Sequence, residues 1–234
     1  MTMKNKILFF MLIFTGHIFS IVWGQQQMNI VFVNTANHKL IEPGRIYQNA
    51  WGETYQVQKL KYYVSEFQFG TAGTGSSEIF LVNAFGNSGF TISRPAHTLD
   101  TISFLLGVDS MYHVSGAQEG ALDPLNDMYW TWNSGYIMFK LEGNAPVSPA
   151  PLNKIEHHIG GFAGSQKTMR PVVLPLPPEP AAYDTIFIEM NLDKYWQGVH
   201  TISIQQIPII TLPGKEAVYA ADNFPGIFSI KKKP

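Results

Sequence analysis

The sequence predicts an all-β fold: a β-sandwich-like single domain with long loops and at most short helices, preceded by a signal peptide. Three observations carry this expectation. Apolar and polar residues alternate in several segments, as half-buried strands require. Gly and Pro, 20 and 15 of the 234 residues, punctuate those segments. Helical periodicity is almost absent, and many short strands separated by Gly/Pro turns point to a sandwich or barrel.

The start of the chain is set aside first. Lys4 and Lys6 give a basic beginning, residues 7–14 are an unbroken apolar run, and small Gly24 precedes Gln25, Gln26 and Gln27. The apolar stretch is too short for a membrane span and His17 interrupts it, so residues 1–24 read as a signal peptide. Residues 25–234 then form one domain that is periplasmic or secreted and not membrane-spanning after cleavage. The chain contains no cysteine, which leaves no site for a cysteine-linked lipid anchor and no disulfide to restrain the unfolded state.

The strands are expected in this order. Residues 28–33 form the first. Residues 55–69 are too long for one regular strand and slip phase twice, since Tyr55 and Val57, then Leu60, Tyr62 and Val64, then Phe67 and Phe69 share faces. They read as two strands, or as one strand with bulges. Further strands fall at 79–85, 101–106, 136–141 (Ile137, Phe139 and Leu141 inward), 155–159, 170–176 and 184–190 (Ile186, Ile188 and Met190 on one face). The clearest alternation is at 200–205, where Ile202 and Ile204 oppose Thr201, Ser203 and Gln205. A short helix is expected at 215–221. The proline-rich stretches 146–151 and 171–180 read as sheet edges or surface loops, because proline cannot donate to a ladder. The glycines of residues 70–75 superficially resemble a phosphate loop, but neither a helical pattern nor a Lys-Ser/Thr pair follows.

Removing Lys4 and Lys6 leaves 14 basic residues against 17 acidic ones, a net charge of −3 that gives no reason to expect a nucleic-acid partner. No nucleophile elbow, HExxH motif or framed acid pair is present, so the chain is not read as an enzyme. The unusual block is residues 106–143. It holds Gly107-Val108-Asp109, His113, Leu122-Asp123-Pro124 and the run Met128-Tyr129-Trp130-Thr131-Trp132-Asn133-Ser134-Gly135-Tyr136, and is followed by His157-His158-Ile159-Gly160. Histidines beside tryptophans can form a metal pocket, since neutral imidazole suits copper, zinc, iron and nickel alike. The same residue types more often serve as packing or as structural hydrogen-bonding groups, and residue chemistry does not choose between the two.

The block is similar to the signature of the MbnP-like family, exported proteins named after a methanobactin-associated periplasmic copper protein. The Trp-x-Trp-x-x-Gly-Tyr core carries the resemblance. Tyr62-Tyr63-Val64-Ser65-Glu66, His158-Ile159-Gly160 and Ala221-Asp222-Asn223-Phe224-Pro225-Gly226 support it. The resemblance implies a β-rich fold and a copper cofactor held by histidines beside a tryptophan oxidised to kynurenine, with a dihaem peroxidase-like maturation partner. Carried onto this chain, the metal ligands are His113 and His158, with His97 and His157 in reserve. The modified residue is Trp130 or Trp132. His200, on an apolar strand face, reads from its own position as structural. This chain departs from the characterised branch after His158-Ile159-Gly160, where Gly161-Phe162-Ala163 stands in place of a Ser/Thr turn and a cysteine. The alternative is a metal-free envelope module whose aromatic surface contacts a protein or a glycan.

Cleavage near Gly24 makes Gln25 the expected N-terminus of the exported protein, which intact mass or N-terminal sequencing checks. Residues 1–24 retained on membrane-embedded protein would overturn the leader assignment.

Overall fold

The computed structural model describes residues 27–70, 74–93, 100–130, 135–177 and 184–231. Residues 1–24, expected to be a leader, and His97 and Trp132 lie outside the described residues. In chain order the strands are β1 (Gln27–Ala36), β2 (Lys39–Leu40), β3 (Ile46–Gln48), β4 (Thr54–Phe69), β5 (Thr74–Ser76), β6 (Phe80–Asn83), β7 (Gly89–Ser93), β8 (Thr101–Leu106), β9 (Tyr129–Trp130), β10 (Gly135–Asn144), β11 (Lys154–Gly160), β12 (Arg170–Pro175), β13 (Thr185–Asn191), β14 (Ile209–Ile210) and β15 (Phe228–Lys231). Short helices α1 (Ser110–Val114), α2 (Leu192–Trp196) and α3 (Lys215–Ala221) interrupt them. The all-β expectation holds, and α3 forms where a short helix is expected.

Two sheets pack face to face. The smaller runs β15-β13-β1-β2 with β7 also on β1, and its β1–β13 pair is parallel. The larger runs β12-β8-β4-β10-β11-β14, with β3, β5 and β6 added to β4 and β9 to β10. Alternation supplies the interface between them. Phe32 of β1 meets Tyr62 and Phe104 edge-on at 5.8 and 5.9 Å, and Phe228 of β15 meets Phe104 at 5.2 Å. Edge-to-face contacts of this kind add to the gain from burying the rings.

Strand β4 resolves the double phase slip as one strand with irregular register. Its pairing with β10 shifts opposite Glu142 and Gly143, and its pairing with β8 shifts between Ser65 and Gln68. Between those last two residues Glu66 takes φ +52°, a left-handed conformation that moves the following Phe67 and Phe69 back onto the core face. The proline-containing β12 is the edge of the larger sheet, as its prolines require.

The strand expected over residues 200–205 does not form. A single bridge joins Gln197 to Thr201, and the chain then turns, with Ile207 N–H donating to the Ser203 carbonyl at 2.9 Å. The cause is a carboxylate. Glu53 accepts from Ser203 Oγ (2.8 Å), Ile204 N–H (2.9 Å) and Gln205 N–H (3.1 Å), the last two being backbone donors that a ladder would otherwise use. Ile202 and Ile204 are fully buried all the same, so their alternation reported burial and not a ladder.

His157 anchors this turn to the main core. Its ring is fully buried, with Tyr195 Oη 2.7 Å from Nδ1 and the Ile207 carbonyl 2.8 Å from Nε2. The carbonyl can only accept, which puts the proton on Nε2 and leaves Nδ1 to accept from the tyrosine. Burial pushes its pKa down to about 4, against the opposing Ile207 carbonyl. Because both ring nitrogens are engaged, His157 is a structural residue.

The folded pKa lies below the unfolded value of about 6.5, so the unfolded chain binds the proton more readily. His157's contribution is therefore complete above about pH 6.5 and is lost as pH falls through about 4. Thermal melting from pH 7 to 4 should show this decline. A His157→Phe variant should melt with a shallower acid slope and be about 2–4 kcal/mol less stable at pH 7, since Tyr195 and Ile207 lose their partner.

Candidate metal centre

The candidate site lies on the face of the larger sheet turned away from the main core. Strand β10 is buried along most of its length on both sides, because the excursion from Gly107 to Trp130 covers its outer face. Gly107 begins the excursion at φ +127°, and a Cβ there would stand 2.9 Å from Met169 Cβ and 3.2 Å from Met138 Sδ, so only glycine fits. Val108 N–H donates to Met138 Sδ at 3.3 Å, and Asp109 caps α1 by accepting from Met111 N–H at 2.8 Å. Asp123 accepts from Leu125 N–H at 2.8 Å at the start of a further short turn of helix, where Pro124 needs no donor. Tyr63, Val108, Leu122, Met128, Trp130, Tyr136, Ile137 and Met138 form a small second core beneath this roof.

A set of lysines fastens the roof to the sheet. Lys61 Nζ donates to the Asn126 carbonyl at 2.9 Å and Lys140 Nζ to the Asp127 carbonyl at 2.7 Å. Lys140 also pairs with Asp127 Oδ1 at 2.8 Å and Glu142 Oε1 at 3.3 Å, while Lys59 bridges Asp127 and Glu142. Lys140 is only 3 % exposed, and a carbonyl and two carboxylates surround its ammonium, the kind of company that holding a charge in so dry a place requires. Asp127, in a left-handed conformation at φ +61°, ends this turn and leads into β9. Burial alone would raise its carboxyl pKa, but Lys140 and Lys59 hold it below the usual carboxylate range.

Trp130 then pairs with Gly135 in the β9–β10 hairpin. Its ring packs over Gly160 of β11, where a Cβ would come within 2.7 Å of indole Cη2 and Cζ3 and 2.9 Å of the Tyr136 carbonyl. His158 stands two residues before that glycine, opposite Lys140 in the β10–β11 register. His158 and Trp130 both line an open pocket of ≈ 480 Å³, together with Asp127, Tyr129, Lys140 and Glu156. The ring of His158 contacts Glu142 Oε1 through Nε2 at 2.9 Å, and Nδ1 has no hydrogen-bond partner among the described residues. That contact is the largest influence holding Glu142 well below the usual carboxylate range, helped by Lys59 and Lys140 and opposed by burial.

His113 lies on the same outer face but in the small second core, and it is not among the residues lining the pocket. Its ring stacks on Phe162 at 4.5 Å and meets Tyr136 edge-on at 5.5 Å. Nδ1 accepts from Tyr136 N–H at 3.1 Å, which puts the proton of the neutral ring on Nε2, and Nε2 is buried without a partner. Burial pushes its pKa down to about 4, opposed by the Val108 carbonyl and the Asp109 charge.

The two imidazoles thus fit a copper ion unequally. His158 lines the pocket with Trp130 and keeps Nδ1 without a hydrogen bond among the described residues, whereas ligation by His113 Nε2 requires that ring to release its proton or its Tyr136 contact. No group of three or more His, Asp or Glu suited to a metal occurs among the described residues. Sequence reading assigned no site role to Lys140, Glu142 or Gly160. Their signal is present in it, since Lys140 and Glu142 are charged residues alternating with Phe139, Leu141 and Gly143 in an apolar strand.

Replacing Gly160 by Ala should displace the Trp130 ring and lower stability by about 1–3 kcal/mol, the usual cost of overpacking a filled core. Near-UV circular dichroism and thermal melting check this, and unchanged spectra with an unchanged midpoint would contradict the packing described.

The comparisons with known proteins agree with this architecture. The family model described as MbnP matches residues 25–212. Among solved structures, MbnP from Methylosinus trichosporium is similar with a TM-score of 0.55 at 14 % identity, covering 76 % of this chain and 79 % of that one. At that identity the likeness speaks for the fold alone. No curated protein sequence matches. No helix among the described residues is long and apolar enough to cross a membrane. With its profile matched over most of its length and its fold shared, the chain belongs to the MbnP family.

Proposed function

We propose that this protein is an exported, periplasmic or secreted copper-binding protein without catalytic activity, and that His158 is its primary metal donor. The observation that carries this reading is that His158 and Trp130 line one pocket, with His158 Nδ1 making no hydrogen bond among the described residues. His113 is the second donor, reached when its contact with Tyr136 N–H opens. Copper suits such nitrogen sites and outcompetes most other divalent ions for them. The intact indole of Trp130 or Trp132 has only a donor N–H and cannot ligate, whereas kynurenine offers an aniline lone pair. A tryptophan joins this site as a ligand only after oxidative ring opening, for which a dihaem peroxidase-like partner is the proposed agent.

A second reading rests on the wall of the same pocket. Tyr129, Trp130 and Ile209 beside Asp127, Lys140 and Glu156 suit a metal-free module that stacks a small polar ligand, such as a glycan, on aromatic faces.

Copper titration of the mature protein separates the two. His158→Ala should weaken copper binding at least tenfold with little loss of stability. His113→Ala should weaken it less while destabilising the fold, because it empties a buried, stacked position. Equal copper affinity in the wild type and the double variant would refute the site. Mass mapping of residues 127–140 in native material decides whether either tryptophan is opened.

A further inference from the structure

The hydrogen bonds of His158 go further than its choice as a ligand, because they set which of its nitrogens is available. Two carboxylates face Nε2. Glu142 Oε1 is at 2.9 Å, within hydrogen-bond distance, and Glu156 Oε1 is at 3.7 Å, beyond it. Glu142 reaches the ring diagonally across the β10–β11 ladder, where Lys140 stands directly opposite His158 and Glu156 opposite Glu142. The position of Glu142 is over-determined. Lys59 Nζ holds Oε2 at 3.0 Å and Lys140 Nζ approaches Oε1 at 3.3 Å, so two ammonium groups, one from β4 and one from Glu142's own strand, fix a charged carboxylate beside the imidazole. A carboxylate in that state only accepts, and the ring nitrogen facing it must be the one that carries hydrogen.

We propose that Glu142 is the positioning residue of the centre: it accepts the Nε2–H of His158, locks the tautomer, and leaves the Nδ1 lone pair as the only donor this side chain offers. The inference rests on the reading of His158 as a metal ligand, but its structural half concerns the metal-free protein. Carboxylate–histidine pairs of this kind orient ligating imidazoles and raise their basicity, and loss of such a partner typically costs 10–100-fold in metal affinity. Here the carboxylate lies on the adjacent strand and not in a loop, so its aim is set by the sheet register. The lysines therefore do two jobs, fastening the roof through Asn126 and Asp127 and holding Glu142 against His158.

The test uses the mature protein with ¹⁵N-labelled histidine. Long-range ¹⁵N–¹H spectra of the metal-free wild type should show His158 with a protonated Nε2 and an unprotonated Nδ1. Glu142→Ala should leave the two tautomers mixed and lower copper affinity 10–100-fold. Glu142→Gln, whose amide oxygen can accept the same hydrogen, should keep the tautomer and most of the affinity, and Glu156→Gln should change neither. A wild-type ring protonated on Nδ1, or a Glu142→Ala protein that keeps both tautomer and affinity, would overturn the proposal. Should Glu142→Ala fail to fold, the wild-type and Glu142→Gln spectra still decide. Copper affinity unaffected by His158→Ala would instead refute the metal reading, leaving the tautomer result to judge Glu142 separately.

Discussion

Strand β10 is buried on both faces, and that condition shapes the site side of the molecule. Antiparallel sheets commonly leave one face to water, where charged residues at alternate positions need no partner. Here Phe139 and Leu141 enter the main core, while Tyr136, Met138 and Lys140 lie under the 107–130 roof. Each polar group beneath the roof has to be paired or bear a cost. Lys140 donates to the Asp127 carbonyl and pairs with two carboxylates, His158 uses one nitrogen on Glu142, and His113 Nε2 goes without. The orphan costs about 1–3 kcal/mol. Burying one aromatic side chain of roughly 200 Å² yields up to about 5 kcal/mol, so a single buried ring offsets it.

This arrangement also explains why family-like motifs lie where no metal donor is placed. Gly107 provides the exit from β8, Asp109 and Asp123 cap short helical turns, and Asp127 closes the excursion against the lysines. These residues build the roof that delivers Trp130 onto Gly160. The glycine after His158 matters for the same reason, since any side chain there would occupy the volume of the indole. The motifs therefore describe the scaffold of the pocket as directly as its chemistry.

The two predicted histidines have come out differently in kind. His113 is a stacked, buried ring accepting from a backbone N–H, and its low pKa follows from dryness. His158 is an edge-of-pocket ring steered by a carboxylate. Residue type and spacing cannot separate such cases, because both are single histidines near tryptophans. What separates them is the identity of the atoms 3 Å away, and these come from Tyr136 and Glu142, residues 23 and 16 positions distant in the chain.

Period-two alternation by itself determined the all-β class, most of the strands, the inward faces of β10 and β13, and the proline-bearing edge, because burial of alternate side chains is a local property of an extended chain. Helix α3 was legible for the corresponding reason. The turn at 203–207 was not, since Ile202 and Ile204 alternate as a strand would while the Glu53 carboxylate, 150 residues away, takes up the backbone donors. Only the tertiary structure decided that β4 is one bulged strand, that Gly160 makes room for Trp130, and that Glu142 rather than Glu156 holds His158. Those outcomes depend on register between distant strands, where a shift of one residue exchanges the two faces and a difference of 0.8 Å decides whether a hydrogen bond exists.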